Sequence, residues 1–153
     1  MKLPTLLRII HLWPPYLGAG VKVTHLSPDL RCIEVQMKLR FWNQNYLGTH
    51  FGGSLYSMVD PFFVLMLIEN LGRDYEIWDK AASIRFKKPG KGTVKARFEI
   101  DGDQIEAIRR QADTEKKVEP LFTVMIRDES DEVIAQVEKL ISVRRKERKA
   151  DQG

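Results

Sequence analysis

The chain has 153 residues, 43% of them hydrophobic and 30% charged, with a formal net charge of +4. That length and balance describe one folded domain, 1–153, with room for a core, and exclude a disordered polymer. The single cysteine, Cys32, excludes an intrachain disulfide and suits a reducing compartment, so a cytoplasmic protein is expected.

Residues Leu3, Leu6, Leu7, Ile10 and Trp13 are at helical spacing, and Pro14-Pro15 are expected to stop that helix. It reads as a cover lying across the fold (1–15). Arg8 and His11 interrupt its apolar stretch and no small-residue cleavage site follows, so no secretory signal is expected. With two basic residues before the prolines, it is a weak candidate for a membrane surface.

Gly18–His25 and Leu30–Phe41 read as two strands turned at Ser27-Pro28-Asp29, the second alternating apolar and polar residues. Trp42 to Thr49 is a loop. A long apolar helix is expected from about Phe51 to Leu71, ended by Gly72. Eight uncharged residues separate Asp60 from Glu69, against the roughly 20 needed to cross a bilayer, so no membrane span is expected. Ile77–Lys87 and Gly92–Ile100 read as a second strand pair around Pro89-Gly90. Asp103–Ala112 reads as a surface helix, and Val118–Arg127 and Glu132–Arg144 as a last hairpin. Antiparallel strands on both sides of one apolar helix predict an α+β domain, a curved sheet wrapped around that helix.

The tail 144–153 is basic and reads as a solvated end. Without aromatic interleaving or a nucleic-acid motif, no nucleic-acid partner is expected. Three scattered histidines and one cysteine give no metal-ligand spacing, so no metal is expected.

Gly52 and Gly53 fall at the start of the central helix, where unpaired N–H groups and the helix dipole can hold an oxyanion. The plainer alternative is a tight loop-to-helix turn. Asp60, a lone acid in an apolar run, is costly to bury unless paired or used. Catalytic and structural roles weigh equally on the residues alone: Pro61 frees the Ser57 carbonyl, and Asp60 could organise that kink with Ser57 as its partner. Gly53 and Asp60 are two turns apart, a rise of roughly 10 Å. A base acting on a carbonyl held by the Gly53 amide must lie within about 6 Å of it. If both serve one site, two subunits must supply them, which predicts a dimer with composite sites.

The spacing Asn45, Gly48, Gly52, Gly53, Asp60 resembles the motif of phenylacetate-degradation-type acyl-CoA thioesterases in the hotdog-fold thioesterase and dehydratase superfamily. The stretch Ile84 to Gly92 resembles the strand that follows the helix in those proteins. The similarity covers Gly18 to Arg144, and the match is to an uncharacterised branch. One departure stands out: Phe51 occupies the motif histidine position, with His50 one place earlier. The resemblance implies a hotdog fold, in a homodimer or homotetramer. It implies hydrolysis of acyl-CoA or acyl-carrier thioesters, with Asp60 as base or nucleophile, the Gly53 amide holding the thioester oxygen and Asn45 positioning the carbonyl or water. Gly52, Phe51, His50, Ser57 and Phe63 are expected to line the substrate. The acyl chain is expected beside Phe62, Phe63 and Met66, and the phosphates of coenzyme A, which enters as part of the substrate with no separate cofactor, near Arg85, Lys87, Lys88 or the tail. The alternatives are a non-catalytic acyl-thioester-binding hotdog protein and, ranked last, a hydratase or dehydratase using His50.

Overall fold

The computed structural model describes residues 1–147, so Arg148, Lys149 and the rest of the basic tail lie outside the described residues. The chain opens with helix α1, Leu3–Ile9, extended by a 3₁₀ turn Ile10–Leu12. Pro14 and Pro15 end that helical stretch as expected, with Trp13 extended (ψ 131°), but the chain does not pass straight into a strand. They start a new helix, α2 (Pro14–Ala19), because proline in a first helical turn lacks only an N–H that would be unpaired anyway. Gly18, expected in a strand, is therefore helical, and Gly20 closes α2 in a left-handed conformation (φ 80°).

Strands β1 (Val21–Leu26) and β2 (Cys32–Lys38) follow. The alternation in β2 holds, with Ile33, Val35 and Met37 wholly buried. The expected single helix is two: α3 (Gly52–Ser57) and α4 (Phe62–Leu71), separated by a turn at Pro61. Then come β3 (Tyr75–Phe86), β4 (Thr93–Glu99) and α5 (Gly102–Glu115). A capping box between Asp101 and Gln104 starts α5 one residue before the expected boundary. The last strands are β5 (Lys117–Val118), β6 (Leu121–Arg127) and β7 (Val133–Arg145); Pro120 splits the strand expected from Val118.

The main sheet runs β1-β2-β4-β6-β7-β3, antiparallel, with β5 paired to β7. The expected β3–β4 hairpin does not form. β3 pairs with β7 at one edge, while β4 lies between β2 and β6. The segment joining them spends its backbone groups elsewhere: the amides of Lys87 and Lys88 donate to Ile134 O, and Gly90 O accepts from His50 N. It is a crossing over the end of the sheet rather than a tight turn. Between β4 and β6 just two residue pairs meet, Lys95↔Arg127 and Ala96↔Ile126, and the sheet opens there.

The concave face packs on α3 and α4. Met58, Val59, Phe62, Phe63, Met66 and Leu67 are all buried, each such side chain contributing about 1.5–3 kcal/mol. Phe63 stacks on Phe122 (4.8 Å between centroids) and meets Phe98 edge-on. The segment Gly52–Leu71 is long and apolar enough to span a bilayer by composition, yet this face is the core of the domain. Its other face is less covered than all-round apolarity predicts. Asp60, Val64 and Ile68 follow one another at four-residue spacing, and Ile68 is 43% exposed.

Candidate functional site

Asp60 occupies the turn between α3 and α4, its side chain half exposed. Pro61 has no N–H, which leaves the Ser57 carbonyl short of its helical donor. The Tyr16 hydroxyl fills that role at 2.7 Å, and the Asp60 amide approaches the same carbonyl at 3.3 Å. Burial, followed by the Asp60 charge, pushes the Tyr16 phenol up, so its hydroxyl stays a donor. Ser57 and Asp60 are thus joined through the backbone, and the expected bond between their side chains is not formed. Ser57 Oγ donates to Ser54 O instead, and Asp60 Oδ1 accepts from the Tyr56 hydroxyl at 3.0 Å.

Beneath this turn lies Lys139, fully buried. Its Nζ is 3.3 Å from Asp60 Oδ1 and 2.9 Å from Asp79 Oδ1, and it donates to Asp60 O (2.9 Å) and Tyr56 Oη (3.2 Å). Burial alone pulls the ammonium's pKa down. Hydrogen bonds to Asp79 and Tyr56, with the charges of Asp60 and Asp79, outweigh it and hold the pKa above the ordinary lysine value. Asp79 reaches this position through a bulge at Lys80, where the β3–β7 register shifts between Asp79 and Ala81. The result is a carboxylate fixed through one oxygen, with no described donor on Oδ2 and half its surface open. Such a group can take a proton from water or attack a carbonyl carbon.

Gly52 and Gly53 open α3, and no described acceptor takes their amides. Close aromatic rings crowd both positions. A Cβ on Gly52 would lie 3.1 Å from the Phe86 ring, and one on Gly53 2.7 Å from the Phe51 ring. Each glycine borders a cleft. That beside Gly52, about 420 Å³, is lined by Asn45, His50, Phe86 and Lys87 among others. The other, about 480 Å³, is lined by Pro14, Trp42, Phe51, Gly53 and Ser57. Neither contains Asp60. A larger cleft, about 750 Å³, lies on the far side of the sheet around Gln36, Lys95 and Thr123, away from all these residues.

The remaining predicted residues are placed as follows. Asn45 holds its own loop: Oδ1 accepts from the amides of Leu47 and Thr49, and Nδ2 donates to Thr49 Oγ1. His50 is 3% exposed with Nε2 bonded to Gly92 O at 2.8 Å, while its buried Nδ1 has no partner among the described residues. Burial pulls its pKa down, with the Gly92 carbonyl opposing. Phe51 is 55% exposed at the cleft edge, whereas Phe63 is packed in the core. Among the described residues no group of three His, Cys, Asp or Glu is placed to hold a metal ion.

The sequence reading missed Lys139, Tyr56, Asp79 and Tyr16. Lys139 carried a signal: Val137, Ile141 and Val143 share its strand face and are buried, so a lysine there is a charge in a core row. Tyr56, one helical turn before Asp60, was also legible as its neighbour. The Asp79 contact depends on the bulge, and the Tyr16 contact on a helix, α2, that was not expected after the prolines.

Residues 6–143 match a family described as a domain of unknown function, DUF4442. No curated protein matches significantly. Among solved structures, a Pseudomonas aeruginosa protein described as a probable thioesterase superposes with a TM-score of 0.82 at 22% identity, covering 95% of this chain and 99% of its own. A Haemophilus influenzae thioesterase gives 0.66 at 14% identity, covering 95% of this chain and 92% of its own. The Escherichia coli PaaI protein of the phenylacetic acid degradation operon gives 0.58 at 16%, covering 86% and 83%. At these identities the likeness is one of fold, and the sheet curved around a central helix is the one they share. The chain therefore belongs to the DUF4442 family and has the hotdog fold.

Proposed function

We propose that the protein hydrolyses acyl-CoA or acyl-carrier thioesters, with Asp60 as general base or nucleophile. The observation that carries this reading is the half-exposed Asp60 carboxylate, held at a helix break by the buried Lys139 and by Tyr56. As a base, Asp60 takes a proton from water while the water oxygen attacks the thioester carbonyl. The C–S bond then breaks, and the thiolate leaves with that proton, giving an acid and a free thiol. As a nucleophile, Asp60 first displaces the thiolate to form a mixed anhydride, which water opens. The Gly53 amide would hold the oxyanion, and Asn45 would keep the loop before it in place. The structural neighbours described as thioesterases support the reaction class.

The site is completed by a second copy of the chain. Three features support that: β3 is a long sheet edge, with Trp78 and Phe86 half exposed on it. Val64 and Ile68, following Asp60 at four-residue spacing, are apolar and incompletely covered. Lys139 links Asp60 to Asp79 on that same edge strand, so the carboxylate lies beside the seam an edge-to-edge dimer or tetramer would make. There the partner's helix start can meet Asp60, as the distance argument requires. Phe62, Phe63 and Met66 are too fully packed to receive an acyl chain, so the row Val64–Ile68 takes that role. For the coenzyme A phosphates Arg85 and Lys87 remain suitable, whereas Lys88 is engaged by Asp128 and Glu132, and Arg144 by Glu76.

Two observations favour a second reading, binding without turnover: the Phe51 ring lies against Gly53, and the Asn45 amide is spent inside its loop. The test is a panel of short- to long-chain acyl-CoAs with thiol detection, alongside equilibrium binding. Thiol release supports hydrolysis. Saturable binding without release establishes the second reading, and neither binding nor release rejects both.

A further inference from the structure

The N-terminal helices carry apolar residues on two faces. Leu7 and Ile10 point into the core, as a covering helix requires. Leu6, Ile9, Leu12 and Trp13 form a second stripe at the spacing of one helical face, and these are 36%, 42%, 60% and 53% exposed. A helix lying on a soluble domain normally places charged groups there. Past the prolines, Leu17, Phe41 and Trp42 continue the exposed apolar surface at 60%, 82% and 54%. The Phe41 and Trp42 rings touch edge-on at 5.0 Å. Leu17 and Trp42 line one groove of about 470 Å³ with His11, Lys22, Lys38 and Arg40. The Arg40 guanidinium stands 5.2 Å over the Trp42 ring.

Charge lining the groove has one sign. The segments that carry these residues, 1–28 and 35–59, contain five Lys and Arg residues and no Asp or Glu, with Asp29, Glu34 and Asp60 just outside them. No acid lines the groove. A two-fold contact through this patch would set Lys22, Lys38 and Arg40 against their own copies, which disfavours self-association here. Exposed Trp and Leu side chains ringed by cations are what an anionic bilayer surface takes up: apolar groups enter the headgroup boundary and the cations meet lipid phosphates. We propose that this face docks the protein on anionic lipid bilayers, as a peripheral contact and not a span. The anionic cytoplasmic leaflet is a surface of the right sign. This inference does not depend on the hydrolase reading.

Co-sedimentation of the full chain with phosphatidylcholine vesicles, with and without phosphatidylserine, tests it. Wild type should pellet with the anionic vesicles, more weakly as salt is raised, and stay in solution with phosphatidylcholine alone. The triple variant Lys22→Gln, Lys38→Gln, Arg40→Gln should lose about a hundredfold in affinity, taking about fivefold per cation. The pair Leu12→Ser, Trp13→Ser should lose about tenfold or more. The control pair Lys95→Gln, Lys117→Gln, exposed cations outside both segments, should bind within about twofold of wild type. All substituted side chains are exposed, and circular dichroism verifies that each variant is folded. Equal binding to both vesicle types overturns the proposal, as does an equal loss in the control pair. A change in oligomeric mass in the Leu12/Trp13 variant, with no change in vesicle binding, overturns it in favour of a contact between copies.

Discussion

Replacing Lys139 with methionine probes the helix break directly. Methionine keeps the buried stem filled and removes the ammonium. Four acceptor atoms lose their cation: Asp60 Oδ1, Asp60 O, Asp79 Oδ1 and Tyr56 Oη. Removing one partner of a fully buried ion pair costs about 3–5 kcal/mol. Here the Asp60 and Asp79 side chains are 50% and 34% exposed, so water relieves part of that penalty. The backbone carbonyl of Asp60 adds about 1–3 kcal/mol for a lost partner. The balance predicts a loss of about 2–4 kcal/mol in urea unfolding at neutral pH. The raised pKa of Lys139 sets the sign with pH. Its contribution is fully present below the ordinary lysine value of 10.5 and is lost as pH rises through the higher folded value. The gap between wild type and Lys139→Met should therefore hold at neutral pH and close only in alkali. Adding Asp79→Asn to Lys139→Met should recover about 1 kcal/mol by removing the orphaned charge. A Lys139→Met protein as stable as wild type, or more so, would refute the claim that this network holds Asp60 in place.

Two further outcomes follow from the same geometry. The depressed pKa of His50 means that its contribution is present above the ordinary value of 6.5 and is lost as pH falls below it. Wild type should lose stability on acidification through that range by at most about 1.4 kcal/mol per pH unit more than His50→Gln; identical slopes would show that the buried ring does not resist protonation. Mixing Asp60→Ala with Gly53→Pro should restore about a quarter of wild-type sites, since half the reassorted dimers carry one intact composite site. No recovery after verified subunit exchange would place both groups in one chain's site or in none.

Much of the fold was legible because its signals are local. The alternation in β2, the apolar run of the central helix and the proline at its middle each stated a local structure that formed. Strand order was not legible. The crossing from β3 to β4 is fixed by bonds to Ile134 and His50 that are distant in sequence, and a Pro-Gly pair reads the same in a hairpin and a crossing. The helix that begins at Pro14 was missed for a related reason: proline ends one helix and begins another equally well. At the site, the sequence picked out Asp60 but not what holds it. Lys139 was readable as a cation in an apolar strand row. Asp79 was not, since its contact exists only through a bulge.

The central claim is that the Asp60 carboxylate cleaves a thioester. Its most direct measurement is kcat/KM for thiol release by wild type and Asp60→Asn, on whichever acyl-CoA of the panel turns over fastest. The amide matches the carboxylate in shape and cannot take the proton or attack the carbonyl. The account predicts a fall of about 10²–10⁴-fold, with the Asp60→Asn protein still folded and still binding substrate. Undiminished thiol release by Asp60→Asn would contradict it.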